Sequence, residues 1–404
     1  MPATSAIPDL VEVHAAFAAA TDVVAERRSL YRLAAELVGV SGVVPDDVLD
    51  RPLVRHRLGE ALAGRDSLDG VDLAVDAIGE VVDAGLPVVA DPRAQAALAT
   101  VLRVVGPIDG LALLTKADES FHDVVETVAA GVRLVREVGG ALAEDLLTHV
   151  NLLAVVDPAT AGGLVSASSR YFPGLVIIER PSTAIEVAEA LIHEGAHEKF
   201  FDLAITRSFL GVKSDAAEEF VTSWSGARWP IEQVFAAWHA YQCLAQFAES
   251  GVSVGPGSLL PLARERAAEI AKWLQAHEES LLSDARWMLN RILNVPNSVG
   301  SGILTRRPMS NGCYAMNPLV RLGAEVPTAR RVVGRMEAPP ALFWLDQDPA
   351  TVLGVLDRRT EGMSVEHGVI AVQALWGVGP VQARERWSDA LVTLLDAQLV
   401  VRTS

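Results

Sequence analysis

The chain has 404 residues, half of them hydrophobic and only 5% aromatic, enough for a large core and two or three domains. A formal net charge of −17 without a concentrated basic patch excludes a nucleic-acid surface. Cys243 and Cys313 form no CxxC pair, which excludes a disulfide framework and a cysteine zinc site, and no uncharged apolar run approaches the roughly 20 residues that span a bilayer.

The opening, Met1-Pro2-Ala3-Thr4-Ser5 into Val11-Glu12-Val13-His14-Ala15, lacks the charged start and unbroken apolar stretch of a signal peptide, so the expected location is cytoplasmic. The expected fold class is mainly α with a few short strands. Residues 1–155 alternate helical periodicity with breaks such as Gly39-Val40-Ser41-Gly42 and Gly85-Leu86-Pro87, and read as a helical scaffold.

Asp157-Pro158 and Gly162-Gly163 open a second part, 156–338. Ser166-Ala167-Ser168-Ser169-Arg170-Tyr171 is polar and reads as a turn-rich loop, whereas Gly174-Leu175-Val176-Ile177-Ile178 predicts a buried strand. Thr183 and Glu186 have capping-box spacing, and Ile185, Ala188, Leu191, Ile192, Ala196 and Leu203 recur at helical intervals, predicting a helix over 183–210. A loop over 213–230 leads to a second helix at 231–249, and a long amphipathic stretch carrying Arg264, Arg266 and Glu269 reaches residue 293. The segment 302–308 reads as an irregular connection. Residues 339–404 read as a small helical or winged-helix-like unit, either a packing module or a docking site.

The helix at 183–210 carries His193-Glu194-Gly195-Ala196-His197. Two imidazoles four residues apart project from one helix face about one turn apart, which allows them to grip one transition-metal ion. A catalytic site needs a third protein ligand and an open position. Glu218 and Glu219, 21 and 22 positions past His197, and His239 on the next helix are the candidates. Asp202 lies five residues past His197 and points off the ligand face. With zinc, Glu194 would be the general base of a hydrolase; with iron(II), open positions would take an oxo-acid and dioxygen. Lys199 and Arg228 flank the motif as cations suited to a co-substrate carboxylate. Gly195 in mid-helix implies a close approach to the backbone, by a ligand or by a crossing helix.

The run Phe172-Pro173-Gly174-Leu175-Val176-Ile177, the helix Val187 to Lys199 around the motif, and Trp224, Arg228 and Pro230 before a small-residue helix resemble the HExxH-domain proteins of peptide natural-product clusters. Ser223, Ser225 and Ala196 stand where that family has proline, arginine and glutamine. The resemblance covers roughly residues 165–250. It implies a non-cupin helical fold and an iron(II)- and 2-oxoglutarate-dependent peptide β-hydroxylase, with His193 and His197 on the metal, Glu219 or His239 completing the ligand set, Glu194 as the central glutamate, and Lys199 and Arg228 on 2-oxoglutarate. The expected partner is a peptide or amino-acid substrate, free or leader-borne, with a homodimer as a further option. Two other readings stay open: a zinc peptidase using Glu194, and a non-catalytic peptide-binding protein.

Overall fold

The computed structural model describes residues 18–40, 42–66, 68, 79–81, 85–106, 110–207, 209–210, 219–252, 254–255, 257–293, 312–336, 341–358 and 362–403. Fourteen α-helices and thirteen short strands occur among them, so the chain is mainly α-helical. No helix among the described residues is long and apolar enough to cross a membrane. The segment 302–308 and Glu218 fall outside the described residues.

The chain forms two units where three were expected. The first comprises residues 1–24, 45–57 and 71–298; the second comprises 25–44, 58–70 and 299–404. The expected boundary at 155 would cut through a strand at the centre of the first unit's sheet. That sheet is built from β1 (Gly79–Val81), β2 (Pro87–Val89), β3 (Leu152–Val156), β4 (Ser166–Ser168) and β5 (Leu175–Glu179), in the order β1-β2-β3-β5-β4. β2, β3 and β5 run parallel, and the edge strand β4 runs antiparallel to β5.

All five residues of β3 are buried, as expected of a parallel strand covered on both faces. Alternation divides its side chains. Leu153 and Val155, with Val176 and Ile178 of β5, join the larger core formed with α1 (Phe121–Leu147), α2 (Ala184–Ala204), α3 (Ile231–Ala248) and α4 (Leu260–Ala276). Leu152, Ala154 and Val156, with Leu175 and Ile177, meet Leu53, Leu98, Val101 and Leu102 on the opposite face.

α2 is buried nearly all round because it lies between α1, α3 and the sheet edge. Its contact with α1 is close at two glycines. A Cβ on Gly131 would lie 2.4 Å from Val187 Cβ, and one on Gly195 would lie 3.3 Å from Leu146 Cβ. Gly195 therefore marks a helix crossing, one of the two expected readings. Between those contacts α1 leaves helical geometry at Gly140, with φ 51° and ψ −136°.

α2 ends at Ala204, earlier than the expected 210, while α3 matches the expected second helix to within one residue. Two expected loops contain strands. Ser166–Ser168 forms β4, and the segment before α3 contains a hairpin of β6 (Phe220–Val221) and β7 (Arg228–Trp229).

The second unit contains two antiparallel sheets. One joins β9 (Val320–Glu325), β10 (Arg331–Arg335) and β11 (Ala341–Leu345), and the other joins β8 (Cys313–Met316), β12 (Met363–Ser364) and β13 (Val400–Arg402). Helices α5 (Gln347–Asp357), α6 (Val365–Trp376) and α7 (Pro380–Asp396) share a core around Leu353, Val369, Trp387 and Leu391. From residue 25 onward the helix Ala20–Leu37 belongs to this unit: Ser29 Oγ donates to Ala324 O at 3.2 Å, and Leu33 and Leu37 lie beside Gly334.

Candidate metal centre

α2 begins where β5 hands the chain over through Pro181-Ser182-Thr183. Thr183 Oγ1 accepts from the backbone N–H of Glu186 at 3.4 Å, and Glu186 Oε2 accepts from that of Ser182 at 2.7 Å, so two orphan donors at the helix start are satisfied.

Helical spacing then sorts the side chains by face. His193 and His197 stand one turn apart and half-buried, with ring centroids 4.8 Å apart at 82°. The His197 ring stacks on Phe201, the next residue of that row, at 6.3 Å. One step round the helix, Glu194, Glu198 and Asp202 form a buried acidic row. Each acid is engaged by a different part of the fold. Ser166 Oγ donates to Glu194 Oε1 and Ser168 Oγ to Glu194 Oε2, both at 2.6 Å. The backbone N–H of Gly174 donates to Glu198 Oε2, and Asp202 Oδ2 lies 2.6 Å from His149 Nδ1. Burial pushes the Glu198 carboxyl well above the usual carboxylate range.

The two motif imidazoles meet the requirements of two metal ligands. Burial, and then the neighbouring His193, pushes the His197 imidazole down to about 4, so it is neutral at pH 7. Nδ1 of His193 is buried with no hydrogen-bond partner among the described residues, an orphan polar atom of the kind a bound ion satisfies. Among the described residues no group of three or more His, Cys, Asp or Glu is arranged to hold a metal.

Neither described candidate for the third ligand joins the pair. Glu219 stands at the start of the β6–β7 hairpin with its side chain 49% exposed, and its Oε2 accepts from Arg228 Nε at 2.9 Å. His239 is fully buried on α3, its Nδ1 bonded to the carbonyl of Ala196 at 2.9 Å. Burial and then the Lys199 cation hold that ring well below the ordinary histidine value. It ties α3 to α2 from beneath.

The two cations expected to hold a co-substrate are placed elsewhere. Lys199 is completely buried on the α1 side of α2, where its Nζ pairs with the Asp145 carboxylate and donates to Ala18 O at 2.9 Å. Two positions beyond His197 is about 200° round the helix, so a lysine there turns its back on the histidine row. Arg228 is exposed and spends its guanidinium on Glu219.

Sequence reasoning missed three groups near the pair. Ser166 and Ser168 fix Glu194, and their alternation on one strand face was the available signal. Tyr241, whose ring centroid lies 5.8 Å from that of His193, and Trp224, 5.9 Å from Tyr241, build an aromatic wall. Arg266 of α4 lies over both of these rings.

No protein-family model matches the chain, and no curated protein matches it.

Proposed function

We propose that the chain is a non-haem iron(II)- and 2-oxoglutarate-dependent oxygenase that hydroxylates a peptide or amino-acid side chain, with His193 and His197 as two of the metal ligands. The observation that carries this reading is the placement of two imidazoles on one face of α2, 4.8 Å apart, with the Glu194 carboxylate one step round the helix at the sheet edge. The resemblance of residues 165–250 to HExxH-domain hydroxylases supports it. Iron(II) with 2-oxoglutarate and dioxygen supplies the oxidising power to hydroxylate an unactivated C–H bond.

The protein's own contribution is position and exclusion of water. Ser166 and Ser168 hold Glu194 in one orientation, and each of its oxygens keeps a lone pair for an N–H of the substrate. Among the described residues β4 is the last strand of its sheet, so its outer edge can accept an extended peptide by strand addition next to Glu194. Trp224, Tyr241 and Phe201 supply apolar walls that keep solvent from a reactive centre.

One observation favours a second reading, a zinc hydrolase with Glu194 as general base: Lys199 and Arg228, the cations assigned to 2-oxoglutarate, are paired with Asp145 and Glu219 instead. Anaerobic iron(II) reconstitution with 2-oxoglutarate separates the two. The oxygenase shows the charge-transfer absorption of the bound pair and, in air with a peptide, yields succinate. Zinc as isolated, no such absorption and peptide cleavage would establish the hydrolase. His193→Ala retaining stoichiometric metal and full turnover would overturn both.

A further inference from the structure

Four cations on the elements around the centre are neutralised by nearby acids. Lys199 pairs with Asp145, Arg228 with Glu219, Arg170 with Glu232 and Arg264 with Glu249. Arg266 has no carboxylate within ion-pair distance among the described residues. Glu269, three positions further along α4, accepts instead from the backbone N–H and hydroxyl of Ser223, at 3.2 and 2.6 Å.

The guanidinium is nevertheless held in place. Its Nη1 donates to Tyr241 Oη at 2.9 Å, and its Cζ lies 4.9 Å from the Trp224 ring centroid and 5.5 Å from that of Tyr241. Stacking on aromatic faces orients the planar fork, and one N–H given to a phenol leaves the other edge for a two-pronged acceptor. The Tyr241 ring that receives Arg266 is the ring that flanks His193. An oriented, half-buried cation lacking its own anion and placed one aromatic ring from a metal-binding imidazole has the chemistry of a carboxylate anchor.

We infer that Arg266, with Tyr241 and Trp224, anchors a carboxylate of the small molecule that enters beside His193. On the oxygenase reading, on which this assignment rests, that group is the carboxylate of 2-oxoglutarate remote from its oxo end. The same chemistry would receive the C-terminal carboxylate of a peptide, and the test separates these sources.

The experiment is calorimetric titration of the iron(II)-loaded protein, without oxygen, with 2-oxoglutarate and with a tripeptide whose C-terminus is free or amidated. Wild type, Arg266→Gln and Arg228→Gln are compared, with iron stoichiometry measured in each. The expected result is a loss of at least ten-fold in 2-oxoglutarate affinity for Arg266→Gln, a change within two-fold for Arg228→Gln, and unchanged iron stoichiometry in both. Should the glutamine variant not fold, Arg266→Lys keeps the charge but not the fork, and a loss of three-fold or more is expected. Wild-type affinity for 2-oxoglutarate in the Arg266 variants overturns the anchor and leaves the oxygenase reading standing. If the wild type ignores 2-oxoglutarate but prefers the free over the amidated tripeptide, and Arg266→Gln abolishes that preference, the anchor holds and the co-substrate reading falls. No binding of either probe overturns both.

Discussion

Ser168 Oγ lies 2.6 Å from Glu194 Oε2, so an edge strand of the sheet and the buried acid at the centre of the α2 motif are fastened to one another. Ser166 repeats the contact on the other carboxylate oxygen at the same distance. Hydrogen bonds to a charged, buried acceptor contribute about 1.5–3 kcal/mol each. Replacing both serines by alanine is therefore expected to lower unfolding free energy by about 2–4 kcal/mol. On the proposed function, metal stoichiometry should persist, because neither serine touches the imidazoles, while turnover falls. Chemical denaturation and metal analysis of the double variant check this; loss of the metal with unchanged stability would contradict it.

Lys199 provides a second test, because the structure makes it a structural cation. Removing one partner of a buried ion pair leaves an uncompensated charge and costs about 3–5 kcal/mol. Lys199→Met and Asp145→Leu are each expected to destabilise by that amount. The double variant should recover most of the loss, since two apolar side chains can fill the space without stranding a charge. A urea double-mutant cycle measures the coupling. Near-additive losses would show that the pair does not act as a unit.

The two glycine contacts between α1 and α2 predict opposite outcomes for the same substitution. At Gly131 an added methyl would meet Val187 Cβ at 2.4 Å and the Ala184 carbonyl oxygen at 2.9 Å, so Gly131→Ala is expected to cost about 1–3 kcal/mol. At Gly195 the nearest atom stands at 3.3 Å. There the gain of about 1 kcal/mol in helix propensity offsets the squeeze, and Gly195→Ala should change stability little. Thermal unfolding of the two variants side by side decides it.

Glu198 predicts a pH dependence whose sign follows from its burial. Its carboxyl is held well above the ordinary range, so between the ordinary value and the folded one the native state keeps a proton that the unfolded chain releases. Stability from this group is complete at acid pH and declines as pH rises through that window, by up to about 1.4 kcal/mol per pH unit. Glu198→Gln keeps an acceptor for the Gly174 N–H and removes the titration. The variant should gain on the wild type as pH is raised from 5 to 8; parallel stability curves would exclude this.

Helix α2 and its surroundings were legible because they rest on strong local patterns. A 3.6-residue apolar rhythm, a capping pair and a β-branched strand of five residues predict α2 and β5, and α3 follows the same logic. The partners of its polar residues were not legible. Lys199 finds Asp145 54 positions away, and Arg266 lies within an ordinary amphipathic helix until tertiary packing brings Tyr241 and Trp224 against it. β4 escaped notice because three small polar residues have little strand preference of their own and are ordered by pairing with β5. β2 and β3 were hidden for the converse reason: short Val- and Leu-rich runs of a buried parallel sheet read equally well as helix.

The second unit draws its pieces from both ends of the described chain, and this has a consequence during synthesis. Thr328 and Arg330 bind the buried carboxylate of Glu26, 302 and 304 positions earlier. At ribosomal speeds of about 5–20 residues per second, Glu26 leaves the tunnel roughly 15–60 s before its partners exist. Throughout that interval its contacts with Thr328 and Arg330 cannot form, so any nascent or truncated chain ending near residue 298 carries an early segment that is translated before these distant partners exist.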